Sequence, residues 1–565
     1  MEDTAKRFCS ILFDVLAEKG VKNVVCSPGS RNVPLLLAVS SREKIKKHFA
    51  VDERSAGFLG LGISLVSREP VGLVCTSGTA LLNYAPAVAE AYYQSIPLVV
   101  ISADRPMQWI DQDDSQTLRQ DGALTNYVKK SYTIPSLGDD NPEMQWYVNR
   151  IANDAIAEAT GGRPGPVHIN IHLGEPLGEK CPKITTVPRL ISIIEGDSVA
   201  NKEVIKSLAL RLAEKKVMLV AGFQTPDADL QKAVATFSRF ENVTVMAETI
   251  SNLHLDPLYN QVDSVLTAYE PTLLDKYSAD IVISIGGALV SRKLKEYLRR
   301  NAHKCEHWSV GRSHTTSDPF MSLTLRIETP AARFFRSINS VLKKKTLCGE
   351  TGDFRQLWNN LRIKADRVKS QYSEKCGWSE LKAFEYILKH LPSDFNLFLS
   401  NGTPVRYAQL IKYPLPHASY CNRGVSGIDG SLSTAIGGGI AYKGRSILIT
   451  GDLSMAYDVG ALGLKNVPEN FKIIVMDNQG GGIFRFIPST SELEEREEYL
   501  CQAPHLPLRH LAEGYGWEYF DCDNLSTLKN NFEAFISSPR KSILKITVEG
   551  KHSVEYLKKY MTLKV

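Results

Sequence analysis

A carboxylate and a carboxamide sit beside glycines late in the chain: Gly451-Asp452-Leu453-Ser454 and, 26 positions after Asp452, Asn478 followed by Gly480, Gly481 and Gly482. Those residue types suit a hard divalent cation, because magnesium takes about six oxygens in an octahedral array and manganese accepts the same donors. Asp452 can give a carboxylate, Asn478 an amide oxygen and Gly480 a main-chain carbonyl, which leaves the other positions to phosphate oxygens and water. Glycine lets the backbone approach closely, and N–H groups at a helix start bind phosphate. The chemistry indicated is a diphosphate held through a metal. Either piece alone could be an ordinary strand-end turn; their pairing after two apolar runs, SILIT and KIIVM, carries the inference.

Other constellations are weaker. Gly57, Gly60 and Gly62 fall inside a helical segment instead of opening a helix after a strand, so they read as packing positions and not as a dinucleotide site. His303, Cys305 and His307 could imitate a zinc cluster, but their segment reads as a strand with alternating side chains. Glu53 follows the apolar run Phe49-Ala50-Val51, a strand-end position before a helix opened by Ser55. A single buried carboxyl there could hold a proton for a ligand; its neighbours Asp52 and Arg54 leave a plain surface charge cluster equally open.

Such residues are positioned by strand ends. From Val24 to Arg105 short apolar runs alternate with helix-period segments: VVCS, a PGSR turn, a helix from Val33, HFAVDE, a helix from Ser55, VGLVCTSG, a helix from Ala80 and PLVVISADRP. Alternation of this kind marks a parallel sheet covered by helices. It returns near the C-terminus in LFLSNG, SILITGDLS and KIIVMDNQGGG, and between the two in VMLVAG, VTVMAE and DIVISIGG. The expected fold is α/β with three open parallel-sheet domains, over residues 1–180, 190–345 and 355–565, joined by linkers at Pro176–Pro188 and Lys343–Gly352. In such sheets ligands bind beyond the carboxyl ends of strands.

Composition agrees with several domains, since 565 residues exceed what one core usually supports. Near its start the chain places Phe8, Ile11, Leu12, Val15 and Leu16 on one helical face, unlike a signal peptide. Ten cysteines without a C-x-x-C pair point to a reducing compartment, and a cytoplasmic location is expected. No apolar run reaches the roughly 18 to 20 residues of a membrane span. A net charge of +5 without a long basic tract makes nucleic acid a poor partner and leaves small anionic ligands open.

The segments SPGSRNVPLLLAV, VDERSAGFLGLG, CTSGTALLNYAPAVAEAYY, SADRP, SQT, NRGVSGIDG, GDLS and NQGGGIFRFIP run in this order from residue 27 to 488. They resemble the consecutive motifs of a thiamine-diphosphate-dependent family, the menaquinone-pathway synthases that form 2-succinyl-5-enolpyruvyl-6-hydroxy-3-cyclohexene-1-carboxylate. The pattern is also similar to the general signature of thiamine-diphosphate enzymes, GD and later NN. Here Asp477 replaces the first Asn, and only the second is normally a metal ligand.

The resemblance implies roles. Glu53 contacts the cofactor's aminopyrimidine in the first domain, while Gly451, Asp452, Leu453, Ser454, Asn478 and Gly480 hold its diphosphate and a Mg2+ or Mn2+ ion in the third. Ile483 and Phe484 line the apolar wall beside the thiazolium. Ser30, Arg31, Arg105, Gln116, Arg292, Lys293, Arg406 and Arg423 surround two dianionic substrates, 2-oxoglutarate and isochorismate. The implied activity is that of a transferase: decarboxylation of 2-oxoglutarate, conjugate addition of the resulting succinyl semialdehyde carbanion to isochorismate, and release of CO2. A homodimer or homotetramer is implied as well. Departures from the family pattern fall at Arg292-Lys293, where some members have Lys-Arg, at Ser115 and at Gly402. An acetohydroxyacid synthase or simple 2-oxoacid decarboxylase is the alternative enzyme, with less need for four arginines. A non-catalytic binding protein that keeps the fold is the alternative of another class.

Overall fold

Residues 2–136, 141–183, 187–193, 201–312, 315–343 and 353–565 are described by the computed structural model; most of the expected linker at Lys343–Gly352 and part of that at Pro176–Pro188 lie outside them. Parallel strands covered on both faces need continuous apolar sequence, and the strand Leu98–Asp104 is buried along its whole length. Across the first sheet the strands run Lys46–Phe49, Asn23–Cys26, Val71–Cys75, Leu98–Asp104, Val167–His172, Ser131–Ile134. The third runs Ala418–Tyr420, Asn396–Leu399, Ser446–Gly451, Lys472–Asp477, Ser542–Thr547, Glu518–Cys522. Both are wholly parallel. Numbered along the chain, each has the order 2-1-3-4-6-5, so the two outer sheets are built alike. Between them lies a five-stranded parallel sheet of order 2-1-3-4-5, from Val217–Ala221 to Leu323–Ile327. In all three the strand order reverses between the first and third strands, which opens a crevice at their carboxyl ends.

The helix Arg7–Glu18 buries Phe8, Ile11, Leu12, Val15 and Leu16, as its periodicity requires. A short antiparallel pair, Glu2–Thr4 with Lys180–Pro182, lies partly within the segment expected to be a linker and ties the start of the chain to it. Two more expectations change. The helix expected from Ala80 is broken into Thr79–Asn83 and Ala85–Gln94, and His303 lies in a 3-10 turn, so that only His307 belongs to the strand Glu306–Val310.

The outer domains meet where the helices Glu53–Ser67 and Ser431–Ala441 cross. Their backbones touch: a Cβ on Gly62 would lie 1.9 Å from the Thr434 carbonyl oxygen, and one on Gly437 would lie 2.1 Å from that of Leu59. One hydrophobic core runs through this crossing, with Val25, Leu59 and Leu73 in the same cluster as Phe398, Leu432 and Ile449. Among the described residues no helix is long and apolar enough to cross a membrane.

Candidate active site

At the carboxyl end of the third sheet, strand Ser446–Gly451 passes directly into the helix Asp452–Tyr457, and the neighbouring strand Lys472–Asp477 ends at Asn478. Asp452 is 5% exposed. Its Oδ1 accepts the N–H of Leu453 (2.8 Å) and its Oδ2 that of Gly480 (2.7 Å). Gly480 has φ +87°, and a Cβ there would lie 2.3 Å from the Gln502 carbonyl oxygen, so only glycine fits the turn. The Asn478 Nδ2 donates to Glu380 Oε1 (3.1 Å), which also receives the Thr403 hydroxyl (2.8 Å). That bond orients the amide, and among the described residues the buried Asn478 Oδ1 has no hydrogen-bond donor.

Burial pushes the Asp452 carboxyl up to about 6 and that of Glu380 up to about 7. Carboxyls crowded out of water next to an amide oxygen with no donor make a set of oxygens that a cation would fit. The donors are all hard oxygens, which fits magnesium or manganese. The Gly480 carbonyl accepts from Arg485 Nη1 (3.0 Å), and its second lone pair can still serve an ion. Beside Gly451 a Cβ would meet nothing within 4 Å, so there is open space at the strand end. The Ser454 hydroxyl donates to the Ile428 carbonyl (2.6 Å), and Leu453 is half-buried.

In the first sheet, Glu53 does not precede its helix but begins it. Asp52 is the N-cap, accepting from Arg54 N (3.0 Å) and from the Ser55 hydroxyl (2.8 Å), so the helix starts two residues earlier than Ser55. The three neighbouring charges have separate tasks. Arg54 donates to the Tyr457 carbonyl (2.8 Å) and lies over the Tyr457 ring, while the half-buried Glu53 has its carboxyl raised, chiefly by burial. Among the described residues no hydrogen bond or ion pair joins Glu53 to Asp452 within the chain.

The arginines fall into two pairs. Arg31 (buried) and the partly buried Arg105 share the first-sheet crevice, where burial and then the charge of Arg105 lower the pKa of Arg31. Arg31 donates to the Leu173 carbonyl (3.0 Å) and faces Glu175; Arg105 pairs with Asp114 (2.8 Å) and donates to the Ser115 carbonyl (2.7 Å). Ser30 and Gln116 are exposed nearby in the chain, and Gln116 has φ +53°. Arg406 and Arg423 form the second pair, at the junction of the third and central sheets; burial and then Arg423 lower the pKa of Arg406. Arg423 Nε is buried with no acceptor among the described residues. Arg292 and Lys293 are exposed on the first turn of helix Arg292–Arg300 and both pair with Glu296.

Ile483 and Phe484 are half-buried on the short helix Gly482–Phe486, whereas Phe486 packs on the main core. Two contributors carry no motif. Glu380 is known only by its bond to Asn478. Lys295, half-buried on the helix that carries Arg292, interacts with Glu248, Arg423 and Arg406, and its pKa is lowered chiefly by burial. Its place at the edge of the buried face formed by Leu294, Tyr297 and Leu298 is the one signal the sequence offers for it.

The family described as "Thiamine pyrophosphate enzyme, N-terminal TPP binding domain" matches residues 6–123. The chain is 41% identical to a 2-succinyl-5-enolpyruvyl-6-hydroxy-3-cyclohexene-1-carboxylate synthase of Porphyromonas gingivalis, over 99% of this chain and 97% of that protein. It is 34% identical to the protein of the same name from Flavobacterium johnsoniae, over 93% of each. For that of Cytophaga hutchinsonii the figure is 36%, over 97% of each.

Proposed function

The chain belongs to the family of 2-succinyl-5-enolpyruvyl-6-hydroxy-3-cyclohexene-1-carboxylate synthases, and from that premise we propose that it decarboxylates 2-oxoglutarate with thiamine diphosphate and joins the remaining four-carbon unit to isochorismate in menaquinone biosynthesis. The observation that carries this from the family to the chain is the intact buried donor set Asp452, Asn478 and Gly480, with Asn478 Oδ1 unsatisfied.

Asp452, the Asn478 amide oxygen and the Gly480 carbonyl would hold Mg2+ or Mn2+, and through it the diphosphate. Bound thiamine diphosphate supplies a carbon nucleophile and an electron sink, chemistry that side chains do not offer. Glu53, its pKa raised by burial, holds a proton at the aminopyrimidine ring nitrogen. Ser30 and Gln116 add polar contacts in the first crevice. Guanidinium forks pair bidentately with carboxylates: Arg31 with Arg105, and Arg406 with Arg423, make two cationic half-sites for two dianions, flanked by Arg292 and Lys293. Ile483 and Phe484 exclude water from the reacting carbon.

This reading includes three domains at 1–180, 190–345 and 355–565, a homodimer or homotetramer whose chains share each site, and residence in the cytoplasm. Like outer sheets at the two ends of the chain support the first, and described cysteines that are all free support the last.

The test is to incubate purified protein with thiamine diphosphate, Mg2+, 2-oxoglutarate and isochorismate and to identify products by mass. The adduct is expected only when all four are present. Succinic semialdehyde as sole product with isochorismate present would overturn the synthase in favour of a decarboxylase.

A further inference from the structure

Arg423 stands in a turn that the first domain grips from one side and the central domain meets from the other. Glu90, on the first-domain helix Ala85–Gln94, is 2% exposed although charged. Its Oε1 accepts the N–H of Gly424 (2.6 Å) and its Oε2 that of Val425 (2.6 Å), the two amides that directly follow Arg423. Gln94 extends this grip by donating both to Glu90 and to the Cys421 carbonyl (3.3 Å). The backbones are in contact here, since a Cβ on Gly424 would lie 2.7 Å from the Glu90 carbonyl oxygen. On the opposite flank Arg423 Nη2 donates to the Leu289 carbonyl (3.4 Å) and Nη1 to Asn401 Oδ1 (2.9 Å). Leu289 is itself held, because the next two amides, Val290 and Ser291, donate to the buried Glu248 (2.8 and 2.7 Å).

The two successive amides each meet a different oxygen of Glu90, an arrangement that a carboxamide, with an NH2 in place of one oxygen, cannot reproduce. We propose that Glu90 is a positioning residue for substrate binding: by clamping Gly424 and Val425 it aims the Arg423 guanidinium, whose Nε has no acceptor among the described residues, at a substrate carboxylate. Glu90 touches no substrate in this role; it sets the turn. The inference rests on the assignment of Arg423 to substrate binding made above.

The experiment compares wild type with Arg423→Ala, Glu90→Gln, Glu90→Ala and the double variant Glu90→Ala/Arg423→Ala, measuring KM for each substrate, kcat, thiamine diphosphate affinity and melting temperature. Arg423→Ala identifies the substrate whose carboxylate it takes. Glu90→Gln, of the same shape, should raise KM for that same substrate by about tenfold, as expected for one misaligned charge-assisted contact, with cofactor affinity unchanged. In the double variant the Glu90 effect should nearly vanish, because both changes remove one interaction. A normal KM in Glu90→Gln beside a raised one in Arg423→Ala would sink the role of Glu90 alone. Fully additive effects, or equal losses for both substrates and the cofactor, would reduce Glu90 to a stabilising contact. An Arg423→Ala enzyme with both KM values unchanged would instead remove Arg423 from the substrate site, and this proposal with it. If Glu90→Ala does not fold, Glu90→Asp takes its place, and a KM between those of wild type and Glu90→Gln is expected.

Discussion

Asp452 and Glu380 reach the same patch from different directions, one as a motif residue at a strand end and the other from the start of the helix Glu380–His390. In the proposed site Asp452 would meet the ion directly, and Glu380, through its bond to Asn478, would turn the amide oxygen toward it. Asp452→Ala should therefore abolish metal-dependent binding of thiamine diphosphate, and Glu380→Ala should weaken metal affinity by roughly 10–100-fold, the usual cost of losing a group that orients a ligand. Titration calorimetry with Mg2+ and Mn2+ checks both, and unchanged affinity in either variant contradicts its assignment. Glu53→Gln should bind cofactor almost normally yet lose activity by roughly 10²–10⁴-fold, because an amide cannot share a proton as a carboxyl does; near-normal turnover would take Glu53 out of the chemistry. That Asp452, Asn478 and Gly480 lie at neighbouring strand ends was legible because each segment follows an unbroken apolar run. Glu380 was not, since its partner lies far along the chain and its own surroundings are those of any capped helix start.

At the scale of elements, the strands were legible wherever burial on both faces demands an unbroken apolar run, as in Leu98–Asp104 and Val217–Ala221. What escaped was short or polar. The pair Glu2–Thr4 and Lys180–Pro182 has too few residues to show a period, and the helix at Glu53 begins early because Asp52 caps it through its side chain. The glycines of that helix were expected to pack, and they do: Gly57 against Ala87 and Tyr84, Gly60 against Leu73, and Gly62 against a second helix backbone. Gly62→Ala and Gly437→Ala should each destabilise the fold by about 1–3 kcal/mol through overpacking, whereas Gly514→Ala, where a Cβ meets nothing within 4 Å, should be neutral or slightly stabilising; denaturant melts distinguish them, and equal stabilities would contradict the crossing. His168 tests the first sheet differently. It is fully buried with Nε2 2.8 Å from the Ser102 hydroxyl, and burial lowers its pKa to about 4 from an ordinary 6.5. The unfolded chain then takes up a proton that the native state refuses, so this residue's contribution is present above pH 6.5 and lost as pH falls toward 4. Wild-type melting temperature should drop on acidification through that window more steeply than that of His168→Gln; parallel curves would contradict the assignment.

On the scale of the whole molecule, the two outer sheets have one strand order and share a core through the helices that begin at Glu53 and Ser431. In the proposed function each would present half of the necessary chemistry, Glu53 in one and Asp452 in the other, and no hydrogen bond or ion pair joins the two among the described residues of a single chain. In the proposed twofold assembly the first sheet of one chain would stand against the third of its partner, so that a second copy completes each site. Mixing Glu53→Gln chains with Asp452→Ala chains measures this directly. Neither parent dimer can work, but in a mixed dimer one site receives both defects and the other receives none. Random equal mixing makes half the dimers mixed, so activity should return to about one quarter of wild type for a twofold-symmetric dimer. Mixed dimers isolated through two different tags and no more active than their parents would contradict a site shared between the outer domains of different chains.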